Sequence, residues 1–154
     1  MGGSLMGMYT GLRFCAQLKE QAVPVIQLLN EAHQWDLVTV KYPYVELVAW
    51  SRVGRCNFIP FGAIAYMPDE WQQQSDEQGH SILVDGAWKV VCSLKNANDA
   101  IETFILQVLP ILISQPCCCE IMYEEWEVSK LTMVTPRELA LPSSRRCTNG
   151  LLGY

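Results

Sequence analysis

Histidine, clustered cations and metal-type cysteine pairs are what this chain has least of. It carries 2 His among 154 residues, and 11 Lys and Arg against 16 Asp and Glu, for a net charge of −5. The only adjacent cations are Arg145 and Arg146. Phosphate contacts need clustered Lys and Arg, so no nucleic-acid partner is expected. No nucleophile-elbow, zinc-protease, phosphate-loop or dinucleotide-binding motif occurs. No C-x-x-C pair or His-x-x-x-His partner completes a tetrahedral metal set. The longest apolar run, Ile101 to Ile113, is too short to span a bilayer and contains Glu102 and Gln107, so no membrane association is expected.

Half of the residues are hydrophobic and 18% are charged, which describes a chain that can bury a core. Seven cysteines is an odd number, and no secretory leader is recognised ahead of them. Free thiols in a reducing compartment, the cytoplasm, are therefore expected.

Periodicity supplies a fold. Leu12, Phe14, Ala16 and Leu18 alternate with Arg13, Cys15 and Gln17, as in a strand with one face on the core. Ala22, Val25, Ile26 and Leu29 follow at helical spacing, with Pro24 tolerable only in the first turn. Leu37 to Lys41 reads as a short β-like run, and Pro43 opens a small helix near residues 43–53. Asn57 to Tyr66 is apolar on both faces and reads as a strand, which Pro60 confines to a sheet edge. Residues 72–86 read as a long polar loop.

The order then repeats. Trp88, Val90, Cys92 and Leu94 alternate with Lys89, Val91 and Ser93. Asp99 and Glu102 form a capping box ahead of a stripe of Ile101, Phe104, Ile105, Val108, Leu109 and Leu112, with a kink or end expected near Pro110. A long strand over Cys117 to Val128 and a short one over Leu131 to Val134 complete the set. Strand, helix, strand, twice over, predicts an α+β, ferredoxin-like βαββαβ two-layer sandwich, its antiparallel sheet backed on one face by two main helices. The segments Leu12–Leu18 and Trp88–Leu94 are its expected central neighbours. One domain is placed at residues 9–134. Residues 1–8 are read as a start segment or an appended scar, and residues 135–154 as a C-terminal extension without core periodicity.

No catalytic residue, cofactor or metal is assigned. Cys117, Cys118 and Cys119 cannot all reach one ion from a strand whose side chains alternate, so they are read as small buried hydrophobes. Cys15 and Cys92 are expected on opposite faces. His33 suits a helix C-terminus. His80, with Asp76, Ser81 and Asp85 near it in sequence, matches loop composition better than a hydrolytic site. Binding is the better prospect. Asp69, Glu70 and Trp71, and Glu124 to Glu127 around Trp126, are two acidic-aromatic clusters that can converge at one end of the sheet. The uncovered sheet face would add Arg13 and Lys89, the next choice for a partner-binding surface. These residues are expected to meet a protein or a second copy of the chain. A small-ligand binder is the alternative, and a carboxylate-dependent hydrolase a lesser one.

The strings Tyr9-Thr10-Gly11-Leu12-Arg13-Phe14, Phe58-Ile59-Pro60-Phe61-Gly62-Ala63, Tyr66-Met67-Pro68-Asp69-Glu70-Trp71, Cys92-Ser93-Leu94-Lys95-Asn96 and Tyr123-Glu124-Glu125-Trp126 carry a resemblance. Together they resemble a pattern in small uncharacterised proteins of bacteriophages and their hosts, over residues 9–128. The resemblance implies at most a phage accessory protein, of a kind that often binds and blocks host machinery, including defence systems, in the host cytoplasm; the expectation that it is not an enzyme comes from the missing catalytic motifs and the acidic balance. The cysteine triplet and the tail depart from the pattern.

Overall fold

The computed structural model describes residues 8–64, 67–71, 81–96 and 99–139. It is an α+β structure whose five strands form one antiparallel sheet. They are β1 (Thr10–Gln17), β2 (Ser81–Val84), β3 (Ala87–Leu94), β4 (Cys117–Tyr123) and β5 (Lys130–Val134). Their order across the sheet is β2-β3-β1-β4-β5, which places β1 and β3 as antiparallel neighbours near its centre. Leu12 pairs with Cys92 and Phe14 with Val90, so the two alternating patterns present their apolar residues to the same side.

Helices cover that side: α1 (Val23–Ala32), α2 (Trp35–Lys41), α3 (Val45–Trp50) and a longer one, α4, through residues 100–112. Pro24 falls in the first turn of α1, where its missing N–H costs nothing. In α4 the stretch Phe104–Val108 is π-helical, and the Leu109 N–H donates to the Phe104 carbonyl. Pro110 follows at once and cannot donate, so the wider turn lies where the helical ladder is interrupted. The core is aromatic at its middle. The Phe104 ring lies 5.5 Å from Trp50, 6.1 Å from Phe14, 6.2 Å from Trp88 and 6.3 Å from Trp35. Two of these indoles have polar partners: Trp35 Nε1 donates to the Ile59 carbonyl at 2.6 Å and Trp88 Nε1 to Ser81 Oγ at 2.8 Å.

Several local expectations are corrected. Leu37 to Lys41 is helical, part of α2, because Trp35 and Val38 turn into the core at helical spacing. Residues 57–64 do not form a strand. The chain turns at Phe58–Phe61 around a cis Ile59–Pro60 bond, with Ile59 and Pro60 outside helical φ/ψ, and it is apolar because these two residues are packed inside. The edge strand beside β3 is β2, which lies in the stretch read as loop. It is joined to β3 by Asp85 and Gly86, both at positive φ. The Asp99 side chain does not cap α4. Asn96 Oδ1 accepts the Ile101 N–H at 2.8 Å, and Asn96 Nδ2 donates to Glu102 at 2.9 Å. Finally, β4 stops at Tyr123 and β5 extends the sheet past four strands.

The first residues of the tail also belong to the packed structure. Arg137 donates its N–H to the Pro110 carbonyl at 2.8 Å, Lys19 donates to the Arg137 carbonyl, and Leu139 packs on the core. The rest of the extension, from residue 140, lies outside the described residues, as do residues 1–7. Among the described residues no helix is long and apolar enough to cross a membrane.

Candidate interaction surface

Alternation along β1, β3 and β4 sends Gly11, Arg13, Cys15, Lys89, Val91 and Met122 to the face away from the helices. Half of that face is covered. Gly62 and Ala63 lie against the end of β3 that β2 leaves free, where Ser93 donates its N–H to the Gly62 carbonyl at 3.3 Å and its Oγ to the Ala63 carbonyl. The chain next places Ile64, Met67 and Trp71 over Val91 and Met122, forming a second small core. Gly11 makes this possible. A Cβ at residue 11 would sit 2.6 Å from a Trp71 ring carbon and on the Met67 sulfur.

Trp71 is therefore not the half-wet anchor expected of it. It is 1% exposed, with the Arg13 guanidinium 4.5 Å from its ring centroid. Arg13 is engaged as well: its Nε donates to Glu120 Oε1 at 2.5 Å. Glu120 also accepts from Ser129 Oγ. Burial, the largest single influence on Glu120, pushes its pKa up; the hydrogen bonds from Arg13 and Ser129 and the Arg13 charge outweigh it and hold the carboxyl below its ordinary value. Arg13 thus locks β1 to β4 and props Trp71, while Lys89 remains exposed.

The two acidic-aromatic clusters do flank the same end of β1, for different purposes. Trp71 lies on Gly11, and Glu124 accepts the backbone N–H of Tyr9. Asp69 and Glu70 are exposed, on the outer side of the covering segment. Among the described residues no three of His, Cys, Asp and Glu gather closely enough to hold an ion. His80 and Asp76 lie outside the described residues, but Ser81 is a structural group: its hydroxyl donates to Asn30 Oδ1 at 2.6 Å and accepts from Trp88. His33 closes α1 in a left-handed conformation and stacks on Phe61 at 4.4 Å.

Among the described residues, the other half of the face and the hairpin at its edge remain open. A hollow of about 390 Å3 lies over Arg13, Cys15, Lys89, Val91, Cys118 and Leu131. Beside it the β4–β5 hairpin exposes Trp126 (44%), Val128 (79%), Leu131 (67%) and Met133 (64%). Trp126 stands in the turn, edge-on to Tyr123 at 6.0 Å, and not in register on the sheet as a longer β4 would have placed it. Glu125 and Glu127 are exposed around it. Leu131 and Met133 escaped sequence reasoning as surface residues. Their alternation with Lys130 and Thr132 shows a strand, and only the position of β5 at the sheet edge leaves that side uncovered.

No protein-family model, curated protein or solved structure matches the chain.

Proposed function

We propose that the chain is a ferredoxin-like sandwich that works without catalysis, as a binding protein docking its partner on the β5 edge. The strand order supports the fold: β1 and β2 flank β3, and β3 and β4 flank β1, the interleaving of two split strand-helix-strand units, with β5 added outside. The docking reading is carried by one observation. Four large apolar side chains, Trp126, Val128, Leu131 and Met133, are exposed on one hairpin whose outer strand, among the described residues, is paired on one side only. Such an edge invites another strand, and apolar side chains beside it add anchoring area.

The rim selects the partner's chemistry. Glu125 and Glu127 flank Trp126, so the complementary surface is an extended apolar segment bordered by Lys or Arg. A host-cell protein of that kind is the first partner to test, in keeping with the resemblance to phage accessory proteins. Trp126 and Glu124 remain in the proposed site, Lys89 lines the hollow beside Leu131, Asp69 and Glu70 stay with the covering segment outside it, and Trp71 and Arg13 leave it for structural roles.

Leu131→Glu tests the reading, with Leu106→Glu on the helical side as the control for an exposed leucine. Wild type and control should retain the same basic-rimmed partner from host extract, and Leu131→Glu should lose it while melting like wild type. Equal retention by all three proteins would move the site elsewhere. A concentration-dependent dimer that Leu131→Glu disperses would make a second copy the occupant.

A further inference from the structure

A second hollow, of about 270 Å3, lies where three separate stretches meet: Tyr9 ahead of β1, Arg55 to Ala63, and Ser93 to Lys95 at the end of β3. None of its lining residues belongs to the β4–β5 hairpin. Backbone contacts hold its framework. The Phe58 N–H donates to the Arg55 carbonyl at 3.0 Å, and the Gly62 N–H to the Phe58 carbonyl at 2.8 Å. A Cβ at residue 62 would fall 2.0 Å from the Ser93 carbonyl oxygen, so only glycine lets this segment meet β3 so closely. Arg55 stands at φ +69°, a conformation that arginine rarely adopts.

Two features of the lining serve no packing role. Arg55 and Lys95 bring two cations and no carboxylate to one cavity of an acidic chain. Among the described residues neither is in an ion pair, and Lys95 lies 5.9 Å from the Tyr9 ring centroid. Glu124, beside Tyr9, accepts the Tyr9 N–H and is not part of the lining. Phe58 is the second feature: its ring is 47% exposed, although the adjoining Ile59 and Pro60 are buried.

We propose that this cavity binds a small aryl carboxylate, its anionic group at Arg55 and Lys95 and its ring against Phe58. The guanidinium is a planar fork that meets a carboxylate in two parallel hydrogen bonds, and the ammonium adds a point charge. The exposed Phe58 ring offers an aromatic body something to cover, which a bare inorganic anion would leave wet. The volume falls just under the range of about 300–1,000 Å3 of sites for drug-sized ligands, so it suits one ring on a short acidic chain. This cavity is separate from the docking hairpin, and either reading can fail without the other.

The test is a titration of the full chain with phenylacetate, followed through the backbone amide NMR signals of Ala63, Ser93 and Lys95. Wild type should shift these signals saturably, with a dissociation constant of about 1 mM or lower. Arg55→Gln and Lys95→Gln should each weaken binding on the order of tenfold or more, the loss of a charge-assisted hydrogen bond. Arg52→Gln, which removes an exposed cation near Arg55 in sequence but outside the lining, should bind like wild type. Thermal melts of the Arg55 and Lys95 variants should match wild type, because the replaced side chains carry no ion pair among the described residues. Phenylacetamide keeps the ring without the charge, and acetate and inorganic phosphate keep a charge without the ring; none should saturate the site. An absence of saturable shifts in wild type would overturn the proposal. So would undiminished affinity in the Arg55→Gln/Lys95→Gln protein, or binding of phenylacetamide, acetate or phosphate as tight as that of phenylacetate.

Discussion

Replacing Trp71 with Ala removes the largest side chain of the small core on the far face of the sheet. The ring is buried against Met67 and Gly11 and carries the Arg13 guanidinium on its surface. Truncating a buried Trp costs about 3–5 kcal/mol. The lower end applies, because the ring belongs to a cover of a few residues that can settle toward the sheet. About 0.5–1 kcal/mol of cation–π attraction to Arg13 is lost with it. A total of about 3–4 kcal/mol in a domain of this size lowers Tm by roughly 6–16 °C, at about 2–4 °C per kcal/mol. Trp126→Ala is the internal comparison. Its ring is 44% exposed, so the same truncation should cost about 1 kcal/mol or less, a surface-type effect. Thermal unfolding of the three proteins, followed by circular dichroism, measures the contrast. Trp71→Ala melting within about 2 °C of wild type, less than the shift about 1 kcal/mol brings, would refute the packing argument and return Trp71 to the list of exposed anchors. Trp126→Ala melting as low as Trp71→Ala would show that the hairpin is core and not docking surface.

Two further outcomes follow from single residues. Gly86→Ala should cost about 1–2 kcal/mol in a denaturant titration, because Gly86 sits at φ +80° and its new Cβ would fall 2.8 Å from Gln17 Nε2; an unchanged midpoint would show that the β2–β3 turn relaxes freely. Glu120→Gln should be less stable than wild type at neutral pH, and the gap should close as pH falls below the ordinary value of 4.5. The sign follows from the depressed pKa: the ionised carboxylate stabilises the fold fully above its unfolded pKa, and that contribution is lost as pH drops through the folded value. A gap that stays constant from neutral pH to pH 3 would mean the Arg13–Glu120 pair contributes nothing through charge.

One signal for an element the sequence reading placed wrongly was present in the chain. Ser81 to Val84 followed by Asp85-Gly86 is a short β run and a two-residue turn of the type that favours hairpins, and its polar surroundings masked it. The opposite error, at residues 57–64, came from treating an apolar stretch as a strand. Ile59 and Pro60 are buried in a turn held by Trp35, a contact between residues 24 apart that no local pattern displays. Asn96 displaced Asp99 as the cap of α4 for a similar reason: the chain enters that helix through a bend in which Asp99 has positive φ and its side chain makes no capping bond.

Local alternation and helical spacing depend only on backbone geometry, and they determined which side of β1 and β3 meets the helices, the core stripe of α4, and the opposite placement of Cys15 and Cys92. Periodicity says which residues share a face but not what lies on it. Tertiary structure alone decided that residues 62–64 and 67–71 lie over the far face, because that cover depends on Gly11 leaving room for Met67 and Trp71. It also decided that Trp71 is core while Trp126, in an equally acidic setting, is exposed. Neighbours brought together from distant parts of the chain set burial, so two tryptophans with similar flanking residues have opposite surroundings.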